Sequence, residues 1–171
     1  MIFLFPTEFE ATKFRQRHPE AKVIICGVGM AASAATMAQI ALNRASEMVI
    51  LAGIAGSYNL DLHPIDQVVE VTSEQIEELA RRWRKVYNII PRWGLPHATS
   101  NTVNLPNFPS KDCGIENMEG AAIAAICEEC KIPFSQIRSI SNRVGDPSSE
   151  WSFESATEAL TNVLSIIYQQ I

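Results

Sequence analysis

The sequence predicts a three-layer α/β protein, in which helices cover both faces of a mixed, largely parallel central sheet. Short apolar runs alternate with helical patterns along the chain, and the runs are continuously apolar instead of alternating with polar residues. Such runs are typical of strands that are buried on both faces, as in parallel sheets. Residues 1–171 are expected to form a single domain, because one core normally spans about 100–200 residues.

The composition excludes several classes of protein. Apolar residues make up 47% of the chain and charged residues 19%, which argues against intrinsic disorder. The formal net charge is −5 and no basic stripe is visible, so we expect no nucleic-acid partner. The longest apolar run, 48–56, is far below the about 20 residues of a membrane span, and the first residues do not resemble a signal peptide. Four cysteines are too few for a disulfide scaffold, so a reduced cytoplasmic protein is expected.

Strands and helices are predicted in alternation along the chain. The predicted strands cover residues 2–5, 23–26, 48–52, 68–71, 98–103 and 134–140. The predicted helices cover 31–44, 74–85, 118–130 and a final amphipathic segment built on Ala156, Leu160, Val163, Leu164 and Ile167. The glycines at positions 53 and 56 are expected to break the third apolar run, and a polar loop is predicted at 141–150.

The helix predicted over 74–85 is expected to lie on the surface. Ser73 would cap its first turn. Its Glu77–Arg81 and Glu78–Arg82 pairs are four residues apart with the acid first, which favours a solvated helix face.

The carboxyl ends of the predicted strands are where a ligand site is expected, as in other parallel sheets. The segments that would share this rim are 6–10, 27–30, 53–58 and 141–146. Two of these segments are rich in glycine, which permits tight turns and a close approach of the backbone to a ligand. The Gly27-Val28-Gly29 turn lacks both the dinucleotide fingerprint and the Lys-Ser/Thr of a P-loop. Ordinary turn chemistry explains the glycines equally well.

Two polar segments are candidates for chemistry. Glu119 begins an alanine-rich helix, where the helix dipole favours an anion, and a buried carboxylate is rare unless it is paired or functional. Arg138 and Asn142 lie along or just after an apolar strand that leads to the same rim. The alternatives are a first-turn acid facing water for Glu119, a turn cap for Asn142 and an ordinary ion pair for Arg138.

No metal site is predicted. Cys127 and Cys130 form a C-x-x-C pair inside a helical pattern without a second pair, so buried or incidental thiols are the better interpretation. His18, His63 and His97 are scattered along the chain without metal-ligand spacing.

The motifs GVGM, LAGIAGSY, NMEGAA and IRSISN, in this order, resemble the purine nucleosidase and nucleoside phosphorylase superfamily. The resemblance covers most of residues 27–142 together with PTEFEA near the start, and the pairing of NMEGAA with IRSISN is its specific part. The chain is most similar to futalosine hydrolases, which TSNTVN at 99–104 also resembles, and next to methylthioadenosine/S-adenosylhomocysteine nucleosidases. The implied fold is nucleoside phosphorylase-like but shortened, with fewer residues between Glu10 and the glycine turn and over 75–98.

The resemblance implies hydrolysis of the N-glycosidic bond of a purine ribonucleoside through an oxocarbenium-like state. It assigns Glu10 to the attacking water, Glu119 to the ribose hydroxyls and Asn142 to the base. Glu8 is a weaker candidate for the role of Glu10. The other expected contacts with the substrate come from Val28, Gly29, Ile54, Ala55, Gly56, Asn117, Met118, Arg138, Trp151 and Phe153. For Trp151 and Phe153, a place in the core explains the sequence equally well.

Asn142 is expected to decide which base is accepted. The resemblance places an aspartate at this position in adenine-specific nucleosidases, where a carboxyl can give a proton to N7. An asparagine amide has no titrating proton, but it donates and accepts hydrogen bonds. This pattern suits a 6-oxopurine such as hypoxanthine, the base of futalosine, and the futalosine resemblance connects the chain with menaquinone biosynthesis.

Three alternatives stay open. The chain could be a methylthioadenosine/S-adenosylhomocysteine nucleosidase, a phosphorolytic nucleoside phosphorylase with phosphate near Gly29 and Arg138, or a degenerate relative that binds a nucleoside without cleaving it. No cofactor or metal is implied, because proton transfer and electrostatic stabilisation suffice for the reaction. The expected partners are a small-molecule purine nucleoside and further copies of the chain, in a homodimer or higher homo-oligomer, with neither nucleic acid nor membrane.

Overall fold

An eight-stranded mixed sheet is the centre of the structure, a computed structural model that describes residues 1–44 and 47–170. The strands are β1 (Ile2–Phe5), β2 (Val23–Ile25), β3 (Val49–Ser57), β4 (Val68–Gln75), β5 (Tyr87–Asn88), β6 (His97–Thr102), β7 (Ile115–Asn117) and β8 (Phe134–Arg143). The helices that cover the sheet are α1 (Glu8–Arg17), α2 (Met30–Arg44), α3 (Gly120–Cys130) and α4 (Phe153–Gln169). Single 3₁₀ turns lie at Arg81–Trp83 and Ser148–Glu150.

Five strands of this sheet close into a ring through their hydrogen-bonded pairs. β3 pairs with both β8 and β7, β4 pairs with both β8 and β6, and β6 pairs with β7. β1 extends the sheet in parallel from β3, and β2 follows it in parallel. The antiparallel pairs join β3 to β7, β4 to β8 and β4 to β5, and the others are parallel. The predicted fold class, α/β with a mixed and largely parallel central sheet, is confirmed.

The sheet has two apolar faces, and a different pair of helices covers each face. Side chains alternate between the two faces of the sheet along β1. Phe3 therefore faces α1 and α4, where it shares one core with Phe14 and Leu160. Leu4 points to the opposite side and shares a second core with Ile123 of α3 and with residues of α2. Burial of an apolar side chain of this size stabilises a fold by about 1.5–3 kcal/mol. Apolar contact therefore holds both helix layers to the sheet, which gives the three layers that the sequence predicts.

β3 runs through the glycines at positions 53 and 56, so the prediction that they break the strand is wrong. At Gly53 the absence of a side chain leaves room for groups from neighbouring elements. A Cβ atom at Gly53 would lie 2.6 Å from Arg138 Nη1 and 2.9 Å from Glu10 Oε1, closer than real Cβ atoms approach other atoms. Close packing of charged groups, instead of a turn, therefore explains the glycine at this position.

The prediction of a helix over 74–85 is also wrong. β4 continues to Gln75, and a single 3₁₀ turn follows it. Glu77 is only 6% exposed and accepts hydrogen bonds from Gln75 and Ser110, while its backbone N–H donates to Asn101. Partners on other elements thus replace the solvated Glu–Arg pairs, because tertiary contacts override the weak local preference for a helix.

Some elements are longer or more numerous than the sequence pattern predicts. α1 and β7 are not predicted by apolar periodicity, and β8 includes residues 141–143, which were expected in a loop. α1 buries only Glu10, Ala11 and Phe14, so its apolar pattern is weak. Among the helices that the structure describes, none is long and apolar enough to cross a membrane.

Candidate active site

A cavity of about 490 Å³ opens at the carboxyl ends of β1, β3 and β8, beside the start of α3. Twelve of the thirteen site residues predicted from the sequence line it: Glu10, Val28, Ile54, Ala55, Gly56, Asn117, Met118, Glu119, Arg138, Asn142, Trp151 and Phe153. The thirteenth, Gly29, donates its backbone N–H to Glu119. The structure therefore brings these residues together around one cavity, while their individual roles stay predictions.

Glu10 reaches the cavity from the first turn of α1. Thr7 caps this helix, since its Oγ1 accepts the Glu10 N–H at 3.2 Å, and the T-x-x-E spacing is that of a capping box. The Glu10 carboxylate does not return to the Thr7 backbone. It accepts the Ile54 N–H at 3.0 Å and the Thr7 hydroxyl at 2.6 Å. Burial raises the pKa of Glu10, against the opposing effect of these two hydrogen bonds and of Arg138.

Glu119 is held by two donors at the start of α3. Its Oε1 accepts the Gly29 N–H at 3.0 Å, and its Oε2 accepts Arg138 Nη2 at 3.2 Å. Gly29 adopts a φ of +88°, a conformation that favours glycine, so the glycine turn has a specific place in this contact. Glu119 is only 3% exposed, which excludes the alternative of a first-turn acid facing water.

The Arg138 guanidinium lies in the cavity wall, close to both Glu10 and Glu119. The residue is 1% exposed, and its guanidinium donates to Glu119 Oε2, to Asn117 Oδ1 at 3.0 Å and to the Ile54 carbonyl oxygen at 3.2 Å. Arg138 Nη1 and Glu10 Oε1 both pack over Gly53. One buried positive charge is thus shared between two carboxylates, which places all three charged groups at the same wall of the cavity.

Asn117 anchors the N-terminus of α3. Its Oδ1 accepts the backbone N–H groups of Glu119 at 2.9 Å and Gly120 at 2.6 Å, which have no partner inside the helix. Its Nδ2 donates to Glu74 Oε1 at 2.5 Å and to Ser100 Oγ at 2.8 Å. Asn117 was predicted to bind substrate, yet its amide is largely used within the protein, where it fixes the position of Glu119.

Asn142 owes its place in the cavity to a β-bulge. Ala55 pairs with Ile140 but Gly56 pairs with Asn142, so Ser141 is an extra residue in β8. Side chains normally alternate between the two faces of a strand, whereas both Ser141 and Asn142 line the cavity. Ser141 Oγ donates to Asn142 Oδ1 at 2.8 Å, and Asn142 Nδ2 lies 2.9 Å from the Arg143 carbonyl oxygen. The amide is therefore oriented by its own strand.

The aromatic residues predicted near the site lie at the cavity and not in a core. The rings of Trp151 and Phe153 are 5.4 Å apart, and Phe9 meets Phe153 edge to face at 6.2 Å. Trp151 is held by its indole N–H, which donates to the Asp146 carbonyl oxygen at 3.0 Å. Val28, 53% exposed, lines the cavity as well. These side chains form an apolar border of the cavity, suited to a planar or apolar part of a ligand.

Sequence reasoning missed several residues of this region. Glu116, Val103 and Pro106 line the cavity. Glu74 is fully buried behind the cavity-lining residue Asn117. It accepts hydrogen bonds from Asn117, Thr102 and Gln136. The signal for Glu74 was the alternation of VVEVTSE, which is typical of a strand, but the charge spacing further along favoured a helix.

The comparisons with known proteins agree with the predicted family. Residues 96–169 match the phosphorylase superfamily, and this stretch contains Glu119, Arg138 and Asn142. No curated protein is similar enough in sequence to count as a match. The predicted resemblance to this superfamily is thereby confirmed over residues 96–169.

Several solved structures share the whole fold. An MTAN, a 5′-methylthioadenosine/S-adenosylhomocysteine nucleosidase, from Chlamydia trachomatis has 19% identity and a TM-score of 0.84, covering 99% of this chain and 97% of that chain. The futalosine hydrolase of Helicobacter pylori has 15% identity and a TM-score of 0.84, with coverages of 99% and 97%. The 5′-methylthioadenosine nucleosidase of Arabidopsis thaliana has 16% identity and a TM-score of 0.86, with coverages of 99% and 94%.

The class of protein follows from the fold and the family match together. The chain is an α/β protein with the phosphorylase-superfamily fold, and residues 96–169 carry the sequence pattern of that superfamily. The shared fold extends over nearly the full length of this chain and of the solved structures.

Proposed function

We propose that the protein hydrolyses the N-glycosidic bond of a purine ribonucleoside and prefers a 6-oxopurine base such as hypoxanthine. The observation that carries the proposal is the placement of two buried carboxylates, Glu10 and Glu119, on either side of the Arg138 guanidinium at one cavity wall. A ribosyl group that loses its base develops positive charge, and two carboxylates close to it stabilise that charge.

Glu10 acts as the general base in this proposal. Its raised pKa brings the carboxyl closer to the operating pH, where a base takes a proton from water most effectively. The C1′–N bond breaks with its electron pair on the purine, the water oxygen bonds to C1′, and the water proton goes to Glu10. The departing base then takes up a proton from solvent or from Glu10.

Glu119 binds the ribose hydroxyls. Gly29 and Arg138 hold its carboxylate, but a carboxylate has about four acceptor positions, so it can still accept hydrogen bonds from two hydroxyl groups. Met118 lines the cavity directly beside it and provides an apolar contact for the sugar.

Asn142 stabilises the leaving base by hydrogen bonding. One N–H of its amide is bound to the Arg143 carbonyl oxygen, and the other can donate to O6 or N7 of a 6-oxopurine, where negative charge develops as the bond breaks. The names of the related structures support a nucleosidase, since they include a futalosine hydrolase and enzymes that act on 5′-methylthioadenosine. The latter names make an adenine-releasing nucleosidase the second candidate.

Phosphorolysis has less support from the cavity. Arg138 is the one basic residue of the described lining, and its guanidinium is already paired with Glu119 and Asn117. A phosphate ion would have to compete with both.

We also propose that the chain works as a homodimer or higher homo-oligomer in the cytoplasm, as the family resemblance implies.

A panel assay tests the proposed function. Release of free base from inosine, futalosine, adenosine and 5′-methylthioadenosine is measured with and without inorganic phosphate. Phosphate-independent release, fastest from the hypoxanthine nucleosides, is the expected result, and Glu10→Gln and Glu119→Gln should abolish most of it. Glu20→Gln, an exposed change, serves as the control. Faster release of adenine would refute the 6-oxopurine preference, and no release from any nucleoside would refute hydrolysis.

A further inference from the structure

Glu74 is a fully buried carboxylate that does not line the cavity. It lies near the end of β4, and side chains donate hydrogen bonds to both of its oxygens. Oε1 accepts Asn117 Nδ2 at 2.5 Å and Gln136 Nε2 at 2.8 Å. Oε2 accepts the Thr102 hydroxyl at 2.7 Å. Burial of a carboxylate is costly, so the contacts that its partners make next indicate what it contributes.

Two of these partners connect Glu74 with the first turn of α3. Asn117 Oδ1 accepts the backbone N–H groups of Glu119 and Gly120. Thr102 Oγ1 accepts the next backbone N–H group, that of Ala121, at 2.8 Å. The first N–H groups of a helix have no acceptor within it, so these side chains supply the acceptors. The buried carboxylate is thus one side chain away from all three N–H groups.

Gly120 allows the backbone of α3 to come close to this carboxylate. A Cβ atom at position 120 would overlap with Glu74 Oε1, so a side chain there would displace the carboxylate or the helix. A carboxylate close to the start of a helix is favourable, because the helix dipole leaves partial positive charge there. The first turn of α3 therefore packs against a fixed acidic group in the interior.

The position of this turn sets the position of the Glu119 carboxylate. Arg138 holds the same carboxylate, since its Nη2 donates both to Glu119 Oε2 and to Asn117 Oδ1. Glu74 binds the Nδ2 end of the Asn117 amide and so keeps the Oδ1 end toward Arg138 and the helix. With the amide turned over, its NH₂ group would face three further donors and no acceptor.

We propose that Glu74 is a positioning residue for Glu119. It fixes the Asn117 amide and the Thr102 hydroxyl, and through them it holds the Glu119 carboxylate where the ribose hydroxyls bind. This inference rests on the proposed function, in which Glu119 accepts hydrogen bonds from those hydroxyls, and adds a residue outside the cavity lining. Loss of Glu74 should therefore weaken the contact with the ribose hydroxyls and leave contacts with the base unchanged.

Binding of a nucleoside that cannot be hydrolysed tests this role without any need for turnover. The probe is 9-deazainosine or 9-deazaadenosine, whichever the wild type binds more tightly, because the C–C glycosidic bond of these compounds resists hydrolysis. Calorimetry measures the Kd of the probe and of its 2′,3′-dideoxy form, which lacks both hydroxyls. The ratio of the two Kd values reports the hydroxyl contact, whereas a general disturbance of the fold changes both Kd values alike.

Glu74→Met removes the acceptor of Asn117 and Thr102 and should reduce the preference for the hydroxyl-bearing probe by ~10- to 100-fold. Glu74→Gln should retain most of the preference, because its carbonyl oxygen can accept from Asn117 and its NH₂ group can donate to Thr102. Glu70→Met is the matched control and should leave the ratio unchanged. Glu70 is equally buried on β4, but it accepts backbone N–H groups from the loop before β6.

Glu74→Asp decides the question if Glu74→Met does not fold. It keeps the acid but draws its oxygens back from Asn117 by one methylene group, and it should reduce the preference by ~3- to 10-fold. The positioning role is overturned if the deciding variant weakens both forms of the probe by the same factor, or weakens neither. It is also overturned if Glu70→Met lowers the preference as much, or if the wild type binds both forms equally.

The two proposals fail in distinguishable ways. If the deciding Glu74 variant lowers the hydroxyl preference but the wild type releases no base from any nucleoside, the positioning role stands and hydrolysis is wrong. If the wild type releases base but that variant leaves the ratio of the two Kd values unchanged, hydrolysis stands and the positioning role is wrong.

Discussion

Arg138 Nη2 lies 3.2 Å from Glu119 Oε2, and the two side chains are 1% and 4% exposed. A buried ion pair of this kind adds little net stability compared with apolar side chains, because both charges lose their hydration. Removal of one partner is different, since it leaves the other charge buried and unpaired. Arg138 also lies close to Glu10, so its loss affects two carboxylates.

Arg138→Met is expected to lower the free energy of unfolding by about 3–5 kcal/mol. Urea denaturation at neutral pH measures the change. Arg15→Met is the matched control, because Arg15 pairs with Glu8 on the surface, where both side chains are substantially exposed and such a pair contributes at most about 1 kcal/mol. Equal effects of the two substitutions would show that Arg138 does not neutralise the buried carboxylates.

Glu10→Gln is expected to lower kcat by about 10²–10⁴-fold with little change in KM, because the general base is lost while the acceptor for the Ile54 N–H remains. Only deprotonated Glu10 can take a proton from water. Burial raises its pKa, so wild-type kcat should rise with pH through that raised value and be low below it. The variant should lack this acidic limb in a pH–rate profile. An unchanged limb would assign the titration to another group.

Asn142→Asp is expected to shift the substrate preference toward adenine nucleosides by at least about 10-fold, since a carboxyl can supply a proton to N7. The ratio of kcat/KM for inosine to that for 5′-methylthioadenosine measures the shift. Asn142→Ala removes both donor and acceptor and should slow inosine more than 5′-methylthioadenosine, since the contact that favours a 6-oxopurine is lost. A ratio that stays constant in the aspartate variant would show that other residues select the base.

Glu74→Gln is expected to reduce the dependence of stability on pH. Burial raises the pKa of Glu74, which means that folding favours its protonated form. Its stabilising contribution is therefore fully present below its ordinary pKa near 4.5 and is lost as pH rises through the raised value. Compared with the wild type, the variant should become relatively more stable as pH increases over that window. Parallel curves of unfolding free energy against pH would contradict this.

The parts of the site that lie at strand ends could be predicted from the sequence, because the carboxyl ends of parallel strands meet at one edge. Arg138 and Asn142 were found in this way, and so was the segment that contains Glu10, whose role the family resemblance assigned. Glu119 was found from its place at the start of an alanine-rich helix. Glu74 was missed because its charged neighbours have helical spacing, whereas its burial depends on contacts with Thr102 and Asn117, far away in sequence.

Glu116 illustrates a second limit of local patterns. It directly precedes the NMEGAA motif, yet its place at the cavity has no local signal, since it depends on pairing with Gly56 sixty residues earlier. The glycines of β3 show the same limit. They looked like strand breakers, but Gly53 leaves room for Arg138 and Glu10, and Gly56 leaves room for Asn142 and Glu116. Such requirements come from other elements and leave no local signal.

The extra residue at Ser141 divides β8 into two parts with separate registers on β3. Arg138 lies in the part before it, and Asn142 in the part after it. Because a change of length at this point would turn Asn142 away without moving Arg138, the amide at the cavity and the buried ion pair in its wall can vary independently of each other.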